Sequence, residues 1–163
     1  MRMNSRMRAL LTDDQLRAQA VRNGLPSSFR SLLDAGIHVH EGIWGFRAME
    51  RRRTNITRAM FPDATGYECL LNKLHIEDYL DTVEEQPPVE SQLAHGLRFI
   101  QLLQQQLPRE EQFTLVLSCD DERCVMRFHK TRPGEKWLAE DLEAYPEEAI
   151  LEVSNQDPFP LAL

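Results

Sequence analysis

The sequence predicts an α+β domain in which N-terminal helices pack on a small C-terminal antiparallel sheet of about three strands. Two observations carry the prediction. From Phe113 onward the apolar period falls to two: Phe113, Leu115, Leu117 and Cys119 alternate with Thr114, Val116 and Ser118, and Cys124, Met126 and Phe128 resume after Asp120-Asp121-Glu122-Arg123. That pattern is a β-hairpin. A lone hairpin is marginal in water, so the run Ala149-Ile150-Leu151-Glu152-Val153 is expected to pair as a third strand. Upstream, apolar residues recur at three- and four-residue spacing, the mark of helices that must cover the sheet.

The chain has 163 residues, a length that suits one domain able to bury about two thirds of its unfolded surface. The helical part spans about 12–107, the β part about 113–154, and a tail at 155–163 is extended by Pro158 and Pro160. Taken in order, Thr12 with Gln15 reads as a capping box, predicting a first helix from Asp13 with Leu16, Ala20 and Val21 inward and Asn23-Gly24 as its end. Pro26-Ser27-Ser28 opens a second helix through Phe29, Leu32 and Leu33, stopped at Gly36. Ile37 to Gly45 reads as a loop or short extended piece with Trp44 tucked against the core.

From Phe46 to Phe61 a third helix is expected. Met49, Ile56 and Met60 share one arc, Arg47, Arg51 and Arg58 a distant one that faces solvent or a partner, and Arg53 projects into the apolar arc. The segment Thr65–Val83 shows apolar residues on two sides, with Glu68, Asn72, His75 and Tyr79 forming a polar ribbon between them. Either one helix is buried on both sides or the chain breaks near His75 into two short ones. After the acidic linker Glu84-Glu85-Gln86-Pro87-Pro88, a helix from Ser91 to Leu107 buries Leu93, Leu97, Ile100, Leu103 and Leu107.

Three cysteines, Cys69, Cys119 and Cys124, lack a C-x-x-C pair and argue for free thiols in a reducing compartment, although Cys119 and Cys124 flank the hairpin turn. The apolar run after Arg2, Arg6 and Arg8 is too short for a signal peptide or a membrane span, so the cytoplasm is the expected location and no membrane partner is expected. Charge is unevenly spread. Residues 1–60 carry 11 Lys+Arg against 5 Asp+Glu, and residues 61–163 carry 8 against 21. An acidic C-terminal half suits a basic protein partner and repels phosphate, and no aromatic residues interleave with Arg47, Arg51 and Arg58, which argues against nucleic acid.

No phosphate loop, nucleophile elbow or zinc-hydrolase motif occurs, so the chain is not read as an enzyme and no cofactor is expected. The ribbon Glu68, Asn72, His75 and Tyr79 has residue types of acid–base chemistry but fits no metal spacing; with Arg53 as counter-charge it reads first as a structural network. His38, His40 and Glu41 read as loop residues, and no metal site is assigned. The stretch Trp137, Glu140, Asp141, Glu143, Tyr145, Glu147 and Glu148 combines unpaired acid with aromatic anchors, the composition of a surface that docks onto a cationic protein.

The run from Gly66 to Tyr79, with Phe128-His129-Lys130, Gly134-Glu135, Trp137-Leu138-Ala139, Asp141-Leu142-Glu143 and Glu147-Glu148-Ala149-Ile150, resembles small bacterial immunity proteins. These accompany toxins delivered by contact-dependent systems or type VI secretion. The likeness covers about residues 60–154. It implies a cytoplasmic, non-catalytic binder that blocks a cognate basic toxin through its acidic surface. The alternatives are a small nucleic-acid-binding regulator using the arginine-rich helix, and an enzyme built on the Glu68/His75 ribbon.

Overall fold

The computed structural model describes residues 1–12, 24–54, 56–81 and 87–158, with 52–54 described by backbone alone. In chain order its elements are β1 (Arg2–Met3), α1 (Ser5–Leu11), α2 (Ser27–Ala35), β2 (Ile37–His40), β3 (Ile43–Phe46), α3 (Ala64–Leu71), β4 (Leu74–His75), α4 (Val89–Gln106), β5 (Phe113–Cys119), β6 (Cys124–Lys130) and β7 (Ala149–Ser154). Short 3-10 turns occupy Arg47–Thr54, Arg58–Met60, Ile76–Tyr79 and Leu142–Ala144.

The main sheet is antiparallel and ordered β1-β7-β5-β6-β4. The hairpin and its third strand stand where the alternation put them, but the sheet has five strands rather than about three. Its outer members, β1 and β4, are two residues each, too short for any period to show in the sequence. Successive side chains on a strand point to opposite faces. Phe113, Leu115, Leu117, Met126, Phe128, Leu151 and Val153 therefore form a buried inner face. Helix α4 lies on it, with Leu93, Leu97, Ile100, Leu103 and Leu107 all buried as expected. Gly96 permits that close approach, since a Cβ there would sit 3.0 Å from Cδ1 of Leu117.

Helix α2 begins after Pro26 and ends at Gly36, whose φ of 76° favours glycine. It places Phe29 between Phe99, 4.5 Å away between ring centroids, and Tyr79, 5.0 Å away. The stretch Ile37–Gly45 is a β-hairpin, closed by Glu41 and Gly42 at φ 51° and 77°. Two positive φ values give a turn whose twist matches the flanking strands. Trp44 is half-buried with its ring edge-on to Phe113 at 5.1 Å.

Several expected helices differ. The helix expected from Asp13 lies outside the described residues; Thr12 instead ends α1, its N–H bonded to the Ala9 and Leu10 carbonyls. The expected helix Phe46–Phe61 is not one continuous α-helix: Phe46 is pulled into β3 opposite Ile37, Arg47–Thr54 winds as a 3-10 helix, and Thr57 adopts an extended φ of −103° before the Arg58–Met60 turn. The apolar arc therefore dissolves: Met49 is buried but Met60 is 67% exposed. Of the two readings left open for Thr65–Val83, the break near His75 is the one found among the described residues. Helix α3 stops at Asn72, and Leu74–His75 joins β6 as the edge strand β4.

The part expected to be mainly helical, with a loop or short extended piece at Ile37–Gly45, thus holds three strands. The tail is not extended from its start, because Asn155 is fully buried, accepts from Phe113 N at 2.8 Å and donates to Pro108 and Glu111 carbonyls. Cys119 and Cys124 form a disulfide instead of standing as free thiols. The register sets them directly opposite, with Cα atoms 4.1 Å apart, across the four-residue turn. Cys69 remains free and buried, and burial raises its pKa, leaving an unreactive thiol. None of the described helices is long and apolar enough to cross a membrane.

Candidate functional site

The polar ribbon does not assemble. Glu68 and Asn72, one turn apart on α3 and at its C-cap, are fully buried, whereas His75 sits on β4 beside Glu77 at 3.7 Å and Tyr79 stacks on Phe29. What Glu68 and Asn72 form is a seam between the two sheets. Asn72 accepts from Phe46 N at 3.1 Å and donates to the Trp44 and Phe128 carbonyls at 3.0 and 3.1 Å. Glu68 accepts from Trp44 N at 2.8 Å and Lys130 N at 2.7 Å. Two side chains thereby take the place of a strand between β3 and β6, satisfying backbone groups that neither edge could otherwise pair.

The counter-charge of Glu68 is Arg132, bonded to both carboxylate oxygens at 2.6 and 3.0 Å and to the Gly42 carbonyl at 3.0 Å. The side chain of Arg53, the expected partner, is outside the described atoms. Burial alone would lower the Arg132 pKa, but its bonds to Glu68 prevail and the net direction is upward. Both carboxylate oxygens of Glu68 and both terminal nitrogens of Arg132 are engaged, so the seam is structural. His38 and His40 lie on β2, with His38 Nε2 3.4 Å from Glu50, and among the described residues no three-ligand metal cluster exists.

The acidic stretch lies over the outer face of the main sheet. Lys136–Glu148 is a loop anchored by Leu138, Leu142 and Tyr145, which pack on Val116 and Ile150. Asp141 caps the Leu142–Ala144 turn through Glu143 N, and the Tyr145 hydroxyl accepts from Ala139 N at 3.0 Å. Some of the acid is consumed internally by the N-terminal segment, which sequence order hides. Glu143 accepts from Ser5 N and Oγ at 2.8 and 2.7 Å. Arg2 forms a bidentate pair with Glu152 that raises its pKa, and also donates to the Glu140 carbonyl.

What remains outward is specific. Glu140 is solvent-exposed, and its bond to Lys136 holds it below the usual carboxylate range. Asp141 and Glu147 are exposed, and Trp137 is 40% exposed. One face of the Trp137 ring is covered by Arg127, a residue the sequence reading did not weigh, whose guanidinium lies 5.4 Å from the ring centre. Its only sequence signal was a charge at an outward position of a strand between half-buried Val125 and buried His129. Arg47, Arg51 and Arg58 are exposed, and Arg58 lies near enough to Glu135, just before the loop, to help lower that carboxylate's pKa.

The fold and this loop define a mixed α/β protein with a polar, aromatic surface over a sheet, in which His75 and Tyr79 stand apart from Glu68 and Asn72. A family model described as "Uncharacterized protein PM0498 family" matches residues 2–159, and the chain belongs to that family. No curated protein and no solved structure matches it.

Proposed function

We propose that the chain is a non-catalytic immunity protein that binds a cognate bacterial toxin and inhibits it by covering the toxin's active site or substrate groove. One observation carries the reading: Trp137 stands half-exposed on a loop whose Glu140, Asp141 and Glu147 face solvent, with Lys136 as the loop's one cation. A partly exposed tryptophan is a residue type that anchors interfaces, and surrounding acid steers a basic partner toward it. The resemblance over about residues 60–154 supplies the biological setting. Glu143 and Tyr145 hold the loop in place by their side chains and Glu148 by its backbone carbonyl, and the toxin meets the other four.

The reading puts the protein in the cytoplasm beside the toxin's target. The Cys119–Cys124 disulfide weighs against a reducing compartment, so trapping free thiols in intact cells tests location separately from function. The binding test is co-expression with toxins encoded beside the chain. Wild type should restore growth and form a stoichiometric complex; the combined Glu140→Lys and Glu147→Lys variant, which leaves the Asp141 cap in place, should lose both while melting as wild type does. Failure of wild type to neutralise any of them, or full rescue by the variant, sinks the proposal.

A further inference from the structure

On the outer face of the sheet, Arg127 and Glu148 share one cavity without touching each other. The cavity is about 170 Å³, roofed by Trp137 and Tyr145, with Val116 and Ile150 as apolar walls and Ser118 on its floor. Among the described residues, no carboxylate lies within 4.0 Å of the Arg127 guanidinium and none of its N–H groups donates a hydrogen bond. The Trp137 ring covers it, and the buried Cys69 thiol lies near enough to act on its charge. Among the described residues the Glu148 carboxylate likewise accepts no hydrogen bond; its backbone carbonyl accepts from Asn4 at 2.6 Å and its N–H donates to the Tyr145 carbonyl at 3.4 Å. Burial lowers the Arg127 pKa, with Glu148 acting in the opposite sense, so the two charges sense each other across the gap.

A guanidinium offers only donors and a carboxylate only acceptors. Whatever bridges them presents acceptors to Arg127 and donors to Glu148. Water meets the hydrogen-bond requirement but leaves both charges without an ionic partner at a partly apolar site, where such charges are costly. A neutral carboxamide compensates each charge only in part. A molecule carrying both charges answers both: its carboxylate pairs side-on with the guanidinium, its ammonium meets Glu148, and its short hydrocarbon part lies against Val116 and Ile150. We propose that this cavity binds a small zwitterionic α-amino acid. The site lies beneath the loop assigned to the toxin and does not depend on that assignment.

The test is NMR titration of the full chain carrying ¹⁵N-labelled arginine and tryptophan, with L-alanine as probe and acetate and methylammonium as half-ligands. Alanine should shift the Arg127 Nε–H and Trp137 Nε1–H signals saturably, and bind about tenfold tighter than acetate, as two charge-assisted contacts require over one. Arg127→Gln should abolish the response. Glu148→Gln, at the cavity's edge, should preserve the fold and make alanine no better than acetate. Absence of any saturable shift in wild type, or equal binding of alanine and acetate there, overturns the proposal, as does an alanine preference that survives Glu148→Gln.

Discussion

Glutamates do opposite work in two regions of this molecule. At the seam, Glu68 is wholly buried and uses both oxygens on Arg132 and two backbone N–H groups. On the loop over the outer sheet face, Glu140 and Glu147 point to water, and the one ion pair among them joins exposed side chains. The contrast teaches that residue type says little about role until burial is known. A buried charge with every acceptor position filled is a structural rivet, and removing it strands its partner. An exposed charge contributes little to stability and is free to meet another molecule.

The sharpest way to break the comparison is Glu68→Ala. It should cost about 3–5 kcal/mol, because Arg132 and two backbone donors are left unpaired; chemical denaturation reads this directly, and a loss near zero would make the seam no more structural than the loop. Replacing Cys119 and Cys124 by serine should cost about 2 kcal/mol, small because the closed loop is short. Reducing agent should lower the melting temperature of wild type and leave that of the double variant unchanged.

Proton linkage sharpens the contrast further. His129 is buried on β6, and burial drives its pKa below the ordinary 6.5, against its bond to the Lys130 carbonyl and the nearby Glu68 and Glu152. Its folded value is the lower one, so its stabilising effect is full above pH 6.5 and is lost as the pH falls toward that depressed value. Melting temperature measured across this range should fall with acid, and His129→Gln should flatten the slope. Glu147→Lys should have the smallest effect, within about 0.5 kcal/mol on stability, while slowing association with a basic partner in stopped-flow at low salt.

How much was legible follows from where each signal resides. The β5–β6–β7 core and the buried stripe of α4 were readable because one buried face imposes a period on neighbouring residues, and that period is printed in the chain. The helix expected at Phe46–Phe61 shows the limit: Met49, Ile56 and Met60 match a helical arc by spacing, yet strand pairing of Phe46 with Ile37 takes precedence. The anchors of the acidic loop were visible as apolar residues in an acidic run. Arg127 was not visible as a site residue, since nothing local shows that Trp137 folds back over it.

The sequence by itself determined the α+β class, the hairpin, its third strand and the helices that carry a clear apolar stripe, since these depend on interactions among near neighbours. Only the tertiary structure decided the edge strands and which carboxylates are spent. Asn4 bonding Ile150 N, Gln92 bonding Cys124 N and Glu68 meeting Arg132 join residues 146, 32 and 64 positions apart. A buried polar group must find a partner wherever the fold brings one, and that place is set by how the elements stack, which no local pattern encodes.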